Sequence, residues 1–164
     1  MKKMFYIFCF LFSIGINSQV KNNLINTFLK KSISIISKDS LYKAKLCEND
    51  FLLISLSNFK NLVKKKDIDE KDNLILIDFL TVKEASRIFK DSKNNVLRLS
   101  NFELNEDLIV VSYFLENRKI INKKKNNLVL LYETTVSGVL DVIFKYNCDL
   151  KKWEFLKLQE QLNH

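Results

Sequence analysis

The fold is decided by residues 96–162, VLRLSNFELNEDLIVVSYFLENRKIINKKKNNLVLLYETTVSGVLDVIFKYNCDLKKWEFLKLQEQL. This stretch contains five runs rich in Val, Leu, Ile, Phe and Tyr, bounded by Asn, Asp, Lys or Ser, which is typical of β-strands. The gaps between the runs are short, so neighbouring strands should pair as antiparallel hairpins. The predicted strands are Val96–Leu104, Leu108–Leu115, Leu128–Val136, Val139–Tyr146 and Trp153–Gln159.

Two of the connections between these strands carry further predictions. Ser137-Gly138 is expected to be a tight turn, because glycine readily adopts the positive φ that such turns need. Glu116–Asn127 is the longest gap and is expected to be a loop. This loop is either a solvated hairpin tip or a contact site for an anionic surface. The basic residues it would present are Arg118, Lys119, Lys123, Lys124 and Lys125.

The chain before residue 96 adds helices to this sheet. Val20–Lys38 has the 3.6-residue period of an amphipathic helix, with Lys30, Lys31 and Ser32 on its polar side. A short strand is predicted at 51–56 and a buried one at Leu74–Phe79. Thr81 and Glu84 then have the spacing of a capping box, which predicts a second short helix.

This order of elements predicts an α+β domain. We expect the N-terminal amphipathic helix and the second short helix to pack on one face of a mostly antiparallel sheet of about five to seven strands. A curved sheet wrapping the N-terminal helix, as in cystatin-like or nuclear-transport-factor-like cones, is compatible with the same order on architecture alone.

The N-terminal segment is composed differently from the rest of the chain. Two lysines precede the apolar run Met4–Ile14, and the small residue Ser18 follows. These are the parts of a secretory signal peptide, and the apolar run is short for a membrane anchor. We therefore predict a signal peptide at 1–18, a single α+β domain at 19–164 without an integral membrane segment, and a periplasmic or secreted location.

Cleavage after Ser18 would retain two of the three cysteines, Cys47 and Cys148. An exported domain meets oxidising conditions, so these two residues are candidates for a disulfide. The alternative is a pair of thiols that pack as small hydrophobic side chains.

The charge of the chain restricts its partners. There are 27 Lys and Arg against 19 Asp and Glu, a net charge of +8. A basic chain suggests nucleic acid, an anionic membrane or an acidic polymer as partner. However, only Arg87, Arg98 and Arg118 are arginine, the residue that phosphate and base recognition favours. We therefore expect no nucleic acid, and instead an unidentified protein or envelope component. The oligomeric state is not indicated.

Motifs for catalysis are scarce. The single histidine is the terminal His164, no Cys-x-x-Cys occurs, and two glycines cannot build a phosphate-binding loop. No metal site and no cofactor are indicated. Asp78 and Asp141 each interrupt an apolar run, and burial there would raise the pKa of a carboxyl group and suit it to acid–base work. Alternatively, each aspartate faces solvent from an exposed strand face.

The aromatic residues of the last hairpin have two interpretations. Phe144, Tyr146, Trp153 and Phe155 could line a ligand groove, but cross-strand aromatic residues more often form a core. Without catalytic motifs, the sequence favours an exported non-enzymatic binding or interaction module of the cell envelope, ligand unknown. The alternatives are a small hydrolase or isomerase with a cone-shaped pocket that uses a buried Asp, and an inhibitor or immunity-type protein.

Overall fold

The structure is a computed structural model that describes residues 22–46, 51–62, 74–89, 94–123 and 130–162. The predicted signal peptide lies outside these ranges, as do Cys47, Lys124, Lys125 and His164.

Three helices and six strands form the described fold. Helix α1 spans residues 22–38. The elements that follow are α2 (Ser40–Leu46), β1 (Leu52–Ser55), a 3₁₀ turn (Ser57–Leu62), β2 (Leu74–Leu76), a second 3₁₀ turn (Ile77–Phe79), α3 (Val82–Ile88), β3 (Asn94–Asn105), β4 (Leu108–Lys123), β5 (Leu130–Asn147) and β6 (Lys152–Leu162).

The strands form one open, mixed sheet in the order β2-β1-β3-β4-β5-β6. Strand β1 pairs in parallel with β2 and β3, whereas β3 to β6 form an antiparallel meander. The α+β class and the antiparallel-rich sheet predicted from the sequence are confirmed. The parallel pairs arise because β1, β2 and β3 are joined by long connections rather than hairpins.

The helices do not share one face of the sheet, so that prediction is wrong. Helices α1 and α2 pack on the face that presents Leu52 and Ile54 of β1. Helix α3 contacts Leu53 and Val96 from the opposite face. Successive side chains of a strand point to opposite faces, so β1, which is buried throughout, needs a covering layer on each side.

The capping box that starts α3 is confirmed. The Thr81 side chain accepts from the Glu84 backbone N–H, and the Glu84 side chain accepts from the Thr81 backbone N–H at 2.8 Å. This reciprocal pair fixes the first turn of α3 next to the end of β2.

The predicted turn at Ser137-Gly138 is also wrong, since β5 is one continuous strand. Gly138 pairs with Leu115 and Val136 pairs with Glu116, which leaves Ser137 as the extra residue of a bulge. No glycine in the described ranges has a positive φ. Strand β4 continues to Lys123, and the backbone groups of residues 116–123 pair with residues 130–136 of β5. The five predicted strands are therefore four, and the predicted basic loop begins inside β4.

Helix α1 packs across β4, β5 and β6. The ring of Phe28 lies edge-on to Phe144, with centroids 4.9 Å apart. Ser32, expected on the polar side, is fully buried, and its hydroxyl lies 2.6 Å from that of Tyr113 in β4. Ser32 also donates to the Leu29 carbonyl at 2.8 Å, so the tyrosine hydroxyl acts as donor to Ser32. Both buried hydroxyls are thereby satisfied.

Candidate functional site

Two adjoining depressions lie between α1 and the edge strand β6, and both are lined by Lys31 and Trp153. Their volumes are about 320 Å³ and about 600 Å³. We call the two together the α1–β6 groove. Its lining residues are Asn23, Leu24, Thr27, Phe28, Lys31, Ser34, Ile35, Phe144, Lys152, Trp153 and Phe155.

The wall of the groove is a packed aromatic cluster. The Trp153 ring lies edge-on to Phe28 at 5.7 Å and to Tyr146 at 5.3 Å, measured between centroids. Such edge-to-face pairs add about 0.5–1.5 kcal/mol to the contribution of area burial. The position of the Trp153 side chain is therefore set before any ligand arrives.

One aromatic residue of the hairpin lies in the core and another at the surface. Phe144 is 1% exposed, whereas its cross-strand neighbour Phe155 is 48% exposed. Leu156, which is 50% exposed, is the extra residue of a bulge, because Ile143 pairs with Lys157 while Phe144 pairs with Phe155. The hairpin thus contributes both to the core and to an apolar surface at the edge of the sheet.

The charges along the groove are unevenly neutralised. Lys152 pairs with Glu154 at 3.0 Å, and Asn147 donates to the same carboxylate at 2.9 Å. The hydrogen bond from Asn147, together with Lys152, holds the pKa of Glu154 below its ordinary value. The ammonium group of Lys31 lies 5.2 Å above the centre of the Phe28 ring. In the part of the chain that the structure describes, Lys31 forms no ion pair, so the groove carries an uncompensated positive charge.

Asp78 ties two strand ends together. It follows β2 in a 3₁₀ turn, is half-buried, and accepts hydrogen bonds from the Ser55 hydroxyl at 3.0 Å and from the Leu56 backbone N–H. Lys60 donates to its backbone carbonyl at 2.7 Å. Both carboxylate oxygens are engaged where β1 ends. The prediction that Asp78 lies within a strand is wrong, because β2 stops at Leu76.

Asp141 lies in β5 on the face of the sheet opposite α1. It is half-buried and pairs with Ser112 of β4 and Gln159 of β6. One carboxylate oxygen accepts from Gln161 at 3.4 Å, and the other has no partner among the described residues. Strands β1, β3 and β4 separate this position from β2. The two candidate carboxylates are therefore not brought together, and neither lines the α1–β6 groove.

Arg118, predicted to lie in an exposed loop, is instead mostly buried in β4. Its guanidinium contacts the Glu116 carboxylate at 2.8 Å, and Arg98 contacts the other oxygen of the same group. The Arg118 side chain is 15% exposed and that of Glu116 only 2%. An arginine engaged in this way stabilises the sheet, whereas Lys119 next to it is exposed.

The remaining sequence candidates are placed only in part. Cys148 is exposed in the turn before β6; Cys47 is outside the described ranges, and the disulfide stays a prediction. Within those ranges, no three His, Cys, Asp or Glu side chains gather as a metal site would require. No described helix is both long and apolar enough to cross a bilayer.

Among the groove residues, Lys31 was missed in the sequence, whereas Phe155 was named there as a possible groove residue without its exposure being predicted. Lys31 follows Phe28 by three residues, the spacing of neighbours on a helix surface. Phe155-Leu156 breaks the strict alternation of the last strand, which is a sign of a bulge. These signals were present in the sequence, but neither indicates exposure by itself.

Comparison of the chain with protein-family models, with curated proteins and with solved structures finds no match.

Proposed function

We propose that this chain is an exported, non-enzymatic binding or interaction module of the cell envelope, and that the α1–β6 groove is its binding surface. The signal peptide predicted from the sequence supports the location. The exposed Phe155 beside the fixed Trp153 ring carries the proposal for the surface, because large aromatic side chains in a preformed concave site are typical binding anchors.

A hydrolase or isomerase draws less support from the same geometry. A cone-shaped pocket needs an empty sheet face beside the N-terminal helix, but here the face under α1 and α2 is filled by their apolar residues. Both carboxylate oxygens of Asp78 already accept hydrogen bonds, one from the Ser55 hydroxyl and one from the Leu56 backbone N–H. Asp141 stands on the other face of the sheet, away from the groove. An inhibitor or immunity-type protein is a narrower version of the binding proposal, in which the groove occupant is a toxin or an enzyme.

The proposal is tested by placing a photo-crosslinking benzophenone amino acid at Phe155 in the producing cells. Phe51 is a matched control, since it is 44% exposed and precedes β1. Strand β1 is four strand positions from β6, or roughly 19 Å across the sheet. We expect crosslinking to a specific component from position 155 and none from position 51. Equal crosslinking from both positions, or none from 155, would refute the groove as the binding surface.

A further inference from the structure

The groove opens onto an unpaired strand edge. Strand β6 is the last strand of the sheet, so its outer backbone N–H and C=O groups face no other strand in the described residues. The chain contains no proline, the residue that most directly blocks strand addition. Such an edge can accept a peptide in the extended conformation, which gains backbone hydrogen bonds along its whole length.

The bulge at Leu156 divides this edge into two parts. On one side lie Trp153 and Phe155, whose side chains line the groove. On the other side, residues 157–162 pair regularly with β5. A third depression, about 230 Å³ in volume, lies beside Phe155 and Leu156. An added strand can therefore pair with residues 157–162, while a side chain beyond that segment enters the α1–β6 groove at the bulge.

The charged side chains in the groove and along β6 indicate which peptide composition would bind there. Lys31 in the groove has no ion-pair partner in the described residues, and Lys157 is exposed at the regular part of the edge. Glu154, the acidic residue lining the third depression, is already paired with Lys152. Glu160, in the regular part of the edge, is half-buried and accepts from the Tyr42 hydroxyl at 3.5 Å. The groove that remains for a ligand is positive beside an apolar patch, and its complement is a carboxylate beside a large apolar side chain.

We propose that the groove binds an extended segment of a partner protein in which acidic residues flank a Leu, Phe or similar side chain. The segment adds as a strand to the outer edge of β6, its apolar side chain packs against Phe155 and Trp153, and a carboxylate contacts Lys31. This inference rests on the proposed function, and adds the chemical class of the partner.

The test is selection of a random peptide library against the purified exported chain. We expect the retained peptides to be enriched in Asp and Glu next to Leu or Phe. Trp153 is the only tryptophan, so binding should change the intrinsic fluorescence. Lys31→Glu should weaken binding by about tenfold or more. Lys30→Glu makes the same charge change on the exposed, non-groove side of α1 and should leave the affinity within about twofold.

A second pair of variants tests the apolar contact. Phe155→Ser should abolish binding, whereas Phe51→Ser, at similar exposure, should not. Circular dichroism establishes that each variant is folded. Retained peptides without acidic enrichment, or equal binding to the Lys31→Glu variant, would overturn the inference. If heparin or anionic vesicles bind in a Lys31-dependent way and no peptide is retained, the partner is a polyanion or a membrane. The inference then fails while the groove proposal survives.

Discussion

Replacing Phe144 by alanine should destabilise the chain far more than replacing Phe155, although the two rings face each other across β5 and β6 with centroids 6.3 Å apart. Phe144 is 1% exposed and also packs edge-on against Phe28. Removing a fully buried phenylalanine costs about 3–5 kcal/mol, since a cavity is left behind. Phe155 is 48% exposed, so only about half of the roughly 1.5–3 kcal/mol for full burial is lost, or about 1 kcal/mol.

Urea denaturation followed by far-ultraviolet circular dichroism measures this difference. Circular dichroism is preferable to fluorescence because Trp153 borders the same cluster and its emission responds to local changes. For a domain near 150 residues, each kcal/mol shifts the melting temperature by about 2–4 °C. In thermal denaturation followed by the same signal, Phe144→Ala should thus melt about 6–20 °C below the wild type, and Phe155→Ala about 2–4 °C below.

Equal destabilisation by the two substitutions would refute the reasoning. A cost of about 3 kcal/mol or more for Phe155→Ala would mean that the ring is part of the core in solution. The aromatic wall of the α1–β6 groove would then not be available to a partner.

Four further predictions concern other parts of the chain. Glu116→Gln should lower the free energy of unfolding in chemical denaturation by about 2–4 kcal/mol, because it leaves two arginines in the sheet without their carboxylate. An unchanged free energy of unfolding would contradict a stabilising role for these ion pairs. Asp78→Asn should lower the free energy of unfolding by about 1–2 kcal/mol, because the hydrogen bonds from Ser55 and Leu56 become weaker. An unchanged urea midpoint would contradict a structural role for the Asp78 carboxylate. Burial raises the pKa of the Tyr113 phenol above the ordinary 10.0, so folded protein holds that proton more tightly and stability falls as the pH rises above 10. The difference in unfolding free energy between wild type and Tyr113→Phe should accordingly change by about 1.4 kcal/mol per pH unit there, and a constant difference would show that the phenol is not buried. The intact mass of the exported chain should correspond to a start at Gln19, within a few residues, and a mass that retains the apolar N-terminal run would contradict export by cleavage.

The existence of the elements was predictable, but their arrangement was only partly so. Alternation of apolar residues predicts β3, β4 and β6 because each buries one face more deeply than the other. The same alternation cannot show that α3 packs opposite α1, since β1 is apolar on both faces. The short helix α2 was missed, although Asp39 caps it by accepting from Leu41 N–H at 3.0 Å. A helix of seven residues is shorter than the window in which helical periodicity can be read.

The candidate site was predictable only at the level of residue type. Gly138 next to Ser137 predicts a turn locally, but the pairing of β4 with the whole of β5 satisfies more backbone groups, and the strand continues. In the same way, Arg118 lies within a basic segment, and its burial follows from Glu116 in the same strand. The exposure of Phe155 depends on where α1 lies over the sheet and on the bulge at Leu156, both of which are tertiary features.

The most direct test of the α1–β6 groove as the binding surface is amide hydrogen exchange along β6, with and without the component crosslinked at Phe155. The outer-edge amides of residues 152–162 face no strand in the described fold and should exchange rapidly in the free chain. We expect strong protection of these amides in the complex, with no change at β1 or at the turn between β3 and β4. Protection confined to other strands, with unchanged exchange along both β6 and α1, would contradict the proposed surface.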